Sequence, residues 1–110
     1  MFIDGEWKEA ENNAKFDVFN PATGEVLAQV PDGSDKDISL AIEAADRAFS
    51  SWSSLTAYQR SHYLYTAWKI MLDKKEDLAR IMTQEQGKPL AAARNEVQYG
   101  ADFLLWFAEE

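Results

Sequence analysis

Apolar and polar positions fall into two regimes along the chain. Up to Gly33 they alternate over short runs broken by turn residues, the pattern of half-buried strands. FIDGEW places Asp4-Gly5 between Phe2-Ile3 and Glu6-Trp7, a two-residue hairpin signal. Residues Glu9 to Ala14 are polar and loop-like. Phe16 and Val18 then alternate around Asp17, Asn20-Pro21-Ala22-Thr23-Gly24 supplies a turn, and Val26, Ala28 and Val30 share one face of a returning strand. Pro31-Asp32-Gly33 closes this region.

From Ser34 the spacing changes to three and four, which is helical. Ser34 with Asp37 forms a variant capping box, and Thr56 with Gln59 a full one. The first helix spaces Ile38, Ile42, Ala45, Phe49 and Trp52 along one stripe, and Ala41, Ala44 and Ala48 leave a flat surface for close helix approach. The second turns Leu64, Trp68, Met71 and Leu72 inward. Asp73 with Glu76 resembles another cap, which splits the long pattern near Lys74, and Leu78, Ile81 and Met82 carry a shorter helix to Gly87. Pro89 suits the first turn of a last helix, because its missing N–H is unpaired there anyway. The expectation is an α+β fold in one unit, 1–110. Two short hairpins occupy 1–33, and helices near 35–53, 57–72, 74–86 and 89–109 fill the helical region 34–110.

That last helix carries two apolar stripes. One runs through Leu90, Ala93, Val97, Ala101, Leu104 and Ala108; the other through Tyr99, Phe103, Trp106 and Phe107. A helix apolar on two sides expects cover on two sides. The preceding elements can supply one cover, so the reading is of a segment belonging to a larger fold, with Tyr99, Phe103 and Trp106 partly exposed.

Composition narrows what such a chain can do. Its 110 residues with 46% hydrophobic content suit one small domain rather than a disordered chain. The net charge of −8, from 19 acidic and 11 basic residues, argues against nucleic acid or an anionic membrane surface as partner. Lys74-Lys75 is the densest basic stretch, and Glu76-Asp77 follows it at once. With no cysteine there is no disulfide framework, thiolate zinc site or thiol nucleophile, and a single histidine, His62, forbids a multi-histidine metal site. MFIDGEW lacks a basic, then apolar, leader pattern, and no run approaches a membrane span of about 18 apolar residues. A cytoplasmic protein is the plain reading.

The chain's own residues make no active site by spacing. The five glycines are scattered, so no phosphate cradle is present. Glu85 and Glu96 lie in helices among apolar residues, but Glu85 reads first as a solvated last-turn residue, and Glu96 either pairs with Arg94 or faces water. Lys88 could bind an anion, yet a loop lysine is ordinarily just exposed. His62, between Ser61 and Tyr63-Leu64-Tyr65, reads as structural before catalytic. Phe103, Trp106 and Phe107 could line a pocket, although at helical spacing such residues are usually core.

Three stretches together are more specific. NPATGEVLAQVP (Asn20 to Pro31), AIEAADRAFSSWSSLTAYQR (Ala41 to Arg60) and MTQEQGKPLAAARNEVQYGADFLLWFAEE (Met82 to Glu110) resemble the N-terminal part of NAD(P)-dependent aldehyde dehydrogenases. The last is similar to their succinate-semialdehyde dehydrogenase branch, above all in EQGKPLAAA and WFAEE. The resemblance implies a large α/β enzyme with cofactor and catalytic domains and an oligomerisation arm, of which this chain is the opening part of the cofactor-side domain. It implies oxidation of an aldehyde, with succinate semialdehyde the first candidate, by a cysteine thiolate, with hydride passed to NAD or NADP and a glutamate activating the deacylating water.

In the family order those residues lie beyond Glu110, so the resemblance implies no catalytic and no cofactor-binding residue within 1–110, and no cofactor for the segment alone. By position, Phe19 and Glu96 are its candidates for a structural monovalent cation. Its partners would be the remainder of its own polypeptide and further copies in a homo-oligomer, with neither nucleic acid nor membrane. The alternative is a free-standing acidic helical interaction module that presents the Trp106/Phe107 stripe to a partner.

Overall fold

A computed structural model describes residues 1–110. The order is β1 (Phe2–Ile3), β2 (Glu6–Trp7), β3 (Lys15–Phe19), β4 (Val26–Pro31), α1 (Asp35–Ser53), α2 (Ala57–Asp73), α3 (Lys75–Gln86) and α4 (Leu90–Glu109). Two antiparallel ribbons precede four helices, the α+β arrangement expected. The chain divides into two compact units, Met1–Phe19 with Val26–Ser54, and Asn20–Glu25 with Leu55–Glu110.

In the first unit, β1 pairs with β2 through Phe2↔Trp7 and Ile3↔Glu6. Asp4 and Gly5 turn between them with φ of 55° and 79°, the left-handed pair a tight hairpin of this twist requires. β3 and β4 pair from Lys15↔Pro31 to Phe19↔Val26, with a bulge opposite Val18/Phe19. Most of the ribbon's apolar side chains are uncovered: Phe16, Phe19, Val26 and Leu27 are exposed, while Val18 and Val30 are half-buried.

α1 begins on a complete capping box, Ser34 with Asp37. The Asp37 carboxylate also accepts from the Glu11 backbone N–H at 3.2 Å and the Ser34 N–H at 2.9 Å, so one buried carboxylate ties the loop after β2 to the helix start. The alanine face of α1 meets a hairpin and not another helix. Ala41, Ala44, Ala45 and Ala48 form a shallow cleft with Phe2, Ile3, Asp4 and Gly5, and Arg47 reaches Asp4 at 3.0 Å. The larger stripe of α1 is open to solvent, with Ile38, Ile42, Phe49 and Trp52 all exposed.

The second unit is a helical layer organised by α4, which packs against both α2 and α3. α2 starts on the Thr56/Gln59 capping box and half-buries Leu64, Trp68, Met71 and Leu72, as their spacing predicts. The break near Lys74 is real, but its cap is not Asp73. Asp73 is the last residue of α2, and Lys74 is the N-cap of α3 with no side-chain cap hydrogen bond. Gly87 ends α3 with φ of 70°, a left-handed stop that a residue with a Cβ adopts only under strain. Pro89 stands just before α4, and its carbonyl accepts the Ala93 N–H.

The centre of this unit is Ala79, Ala93 and Val97, bordered by Met71, Leu78, Met82 and Leu90. No large side chain is fully buried anywhere in the chain. Small residues permit close helix approach but each removes little apolar surface from water, about 25 cal/mol per Å². The predicted inner stripe of α4 is nevertheless correct: Ala93, Val97, Ala101 and Ala108 are buried, and Leu90 and Leu104 half-buried.

Candidate functional site

Of the candidates, Glu85 lies on α3, and Glu96 and the aromatic stripe lie on α4. The outer stripe of α4 is exposed, with Tyr99 at 65%, Phe103 at 47%, Trp106 at 61% and Phe107 at 63%. Tyr99 and Phe103 sit one turn apart and meet edge to face at 4.8 Å and 84°, a geometry their ring quadrupoles favour. Together with Asp102, Trp106 and Phe107 they line an open apolar hollow of about 280 Å³. A longer groove of about 520 Å³ runs between α3 and α4, floored by Met71, Leu78, Met82 and Val97, with Glu85 and Glu96 among its polar residues.

Polar residues fix the other side of α4. Arg94 donates from Nε and a terminal nitrogen to both Glu76 carboxylate oxygens at 2.7 and 2.9 Å, and Arg80 adds an ion pair at 2.9 Å. The hydrogen bond from Arg94 holds the Glu76 carboxyl below the usual glutamate range, against the opposing effect of burial, and Glu76 raises Arg94 in turn. Lys75 donates to Gln98 at 2.9 Å, and Gln98 to Asp102 at 2.8 Å. Arg94, Gln98 and Asp102 therefore form a row at intervals of four that joins α4 to the start of α3. Sequence reading missed this row, although the four-residue spacing was its visible signal.

The individual candidates separate. Glu96 does not pair with Arg94: its carboxylate takes Lys88, and Arg94 is held by Glu76. Lys88 is thus engaged and half-buried, not a free anion-binding loop residue. Glu85 is exposed at the groove. His62 is exposed beside Leu55, Tyr58, Gln59 and Tyr63, around a shallow hollow of about 320 Å³. Phe19 ends β3 in the first unit, whereas Glu96 belongs to α4 in the second. No group of three or more His, Cys, Asp or Glu side chains converges to hold a metal ion. The arrangement offers apolar grooves, a polar clamp and no assembled nucleophile and base.

Comparison with known proteins supplies what the geometry leaves open. Residues 7–110 match the Aldehyde dehydrogenase family. Over 109 residues the chain is 50% identical to glutarate-semialdehyde dehydrogenase of Pseudomonas putida, covering 99% of this chain and 23% of that protein. It is 47% identical to the NADP(+) succinate-semialdehyde dehydrogenase of Escherichia coli, covering 98% of this chain and 22% of that one. The crystal structure of succinate-semialdehyde dehydrogenase from Burkholderia pseudomallei superposes with a TM-score of 0.96 at 45% identity, over 98% of this chain and 22% of that chain. The 110 residues thus span between a fifth and a quarter of the length of the relatives they match.

Proposed function

This chain belongs to the aldehyde dehydrogenase family, and on that premise we propose that it works as the opening part of the cofactor-side domain of an NAD(P)-dependent semialdehyde dehydrogenase. The observation that carries this reading is the identity of 50% and 47% to two semialdehyde dehydrogenases across nearly every residue of the chain. Both of those proteins are named for a substrate with an aldehyde at one end and a carboxylate at the other, so the semialdehyde of a dicarboxylic acid is the proposed substrate class. The cofactor named for one of them is NADP(+), which makes NADP the first cofactor to test, with NAD beside it.

Within such an enzyme the role of 1–110 is scaffolding. The chain holds no cysteine, so a thiolate nucleophile has to come from elsewhere in the polypeptide. Its own contribution is the α2–α3–α4 layer, locked by the Glu76–Arg94 clamp and presenting the aromatic side of α4. The remainder of the polypeptide, and further copies of it, are the proposed partners. No helix is long and apolar enough to cross a membrane; a cytoplasmic location is part of the proposal. A free-standing interaction module finds no support among the relatives described above, each of which is a dehydrogenase.

The test uses the polypeptide extended through its natural downstream sequence. Nicotinamide reduction is followed with succinate semialdehyde, glutarate semialdehyde and uncharged aldehydes of equal length. The expected result is a kcat/KM at least about tenfold higher for the semialdehydes, equivalent to about 1.4 kcal/mol of selectivity. Equal turnover of the uncharged aldehydes would overturn the substrate class, and no turnover of any aldehyde would overturn the activity.

A further inference from the structure

We draw no further inference here: the strongest candidate, the exposed aromatic face of α4 formed by Tyr99, Phe103, Trp106 and Phe107, carries nothing because nothing in the structure shows what covers it.

Discussion

Arg94 grips Glu76 with two nitrogens, at 2.7 and 2.9 Å, across 18 residues of sequence. This two-pronged geometry is the strong form of an ion pair, because the planar guanidinium matches both carboxylate oxygens at once. It ties the first turn of α3 to the first turns of α4, on the polar side of the Ala79/Ala93/Val97 centre.

Two held carboxylates, Asp37 in the first unit and Glu76 in the second, predict acid sensitivity. Glu76 is held below the ordinary glutamate value by the Arg94 hydrogen bond, and Asp37 below the ordinary aspartate value, chiefly by the Ser34 backbone N–H. A carboxylate with a lowered folded-state pKa contributes stability that is present above its unfolded pKa and lost as pH falls through the folded one. Urea midpoints should therefore be flat near neutrality and decline once pH drops below about 4, where unperturbed carboxylates titrate. Glu76→Gln should lower the neutral midpoint and flatten the acid decline. An acid decline in the variant as steep as in the parent would show that the pair adds nothing; half-exposed pairs can behave so.

Two glycine substitutions should act with opposite signs. At Gly87, φ is +70° and a Cβ would stand 3.1 Å from Cγ of Pro21, whose ring cannot yield easily. Gly87→Ala should cost about 1–2 kcal/mol from the left-handed backbone alone. At Gly100, inside α4, the Cβ would meet only the terminal methyl of Met71 at 3.1 Å. That methyl can swing aside, and replacing a mid-helix glycine by alanine gains up to about 1 kcal/mol. Thermal melts of the two variants decide it. A fall in Tm for Gly100→Ala would mean that Met71 cannot move.

Ser34→Ala and Thr56→Ala should each cost about 1 kcal/mol, the usual value of a lost helix N-cap. Amide hydrogen exchange should localise the loss to the first turns of α1 and α2. Ser34→Ala should also loosen the Glu11 amide, because Asp37 loses the hydroxyl that orients it. An unchanged Glu11 protection factor would show that Asp37 holds its place without Ser34.

These caps were legible in the sequence because each is a local event three residues long, as was the Asp4-Gly5 turn. The two stripes of α4 were legible because helical periodicity assigns sides without reference to any partner. What covers a side is a different matter. Ile38, Ile42, Phe49 and Trp52 of α1 read as a packing stripe and are exposed, whereas Ala41, Ala44 and Ala48 meet a hairpin. Partner choice was equally hidden. Glu96 takes Lys88 and Arg94 takes Glu76, since contacts between helices depend on how α3 and α4 cross. Asp73 looked like a cap because it precedes Glu76 by three, but α2 continues through it. The family was legible from its motifs; the chemistry was not, because the proposed thiolate chemistry needs a cysteine and these 110 residues contain none.

The exposed stripe of α4 predicts self-association of the 110-residue chain at high concentration, because four large aromatics side by side exceed what a soluble surface ordinarily shows. Replacing Trp106 and Phe107 with glutamine and serine should shift sedimentation toward monomer and leave the helical circular dichroism intact, since both side chains are more than half exposed. Unfolding of the double variant would mean that the stripe belongs to the core.

The last prediction concerns activity of the segment by itself. Oxidation of an aldehyde through a thioester needs a thiolate, a hydride acceptor held in place and a base for the deacylating water. The 110 residues contain no cysteine and no glycine-rich phosphate loop, and the Glu85 and His62 side chains lie apart on exposed surfaces, one at the α3–α4 groove and one on α2. Titration calorimetry of this segment with NAD and NADP should therefore give no measurable heat, and succinate semialdehyde should produce no reduced nicotinamide. The same residues joined to their natural downstream sequence should show both. On the scaffolding role proposed for the Glu76–Arg94 pair, Arg94→Gln in the extended protein should lower Tm while changing kcat and KM less than about threefold, within the range of indirect effects. A collapse of kcat with Tm unchanged would show that Arg94 acts on the reacting groups, and turnover by the segment alone would refute the scaffolding role.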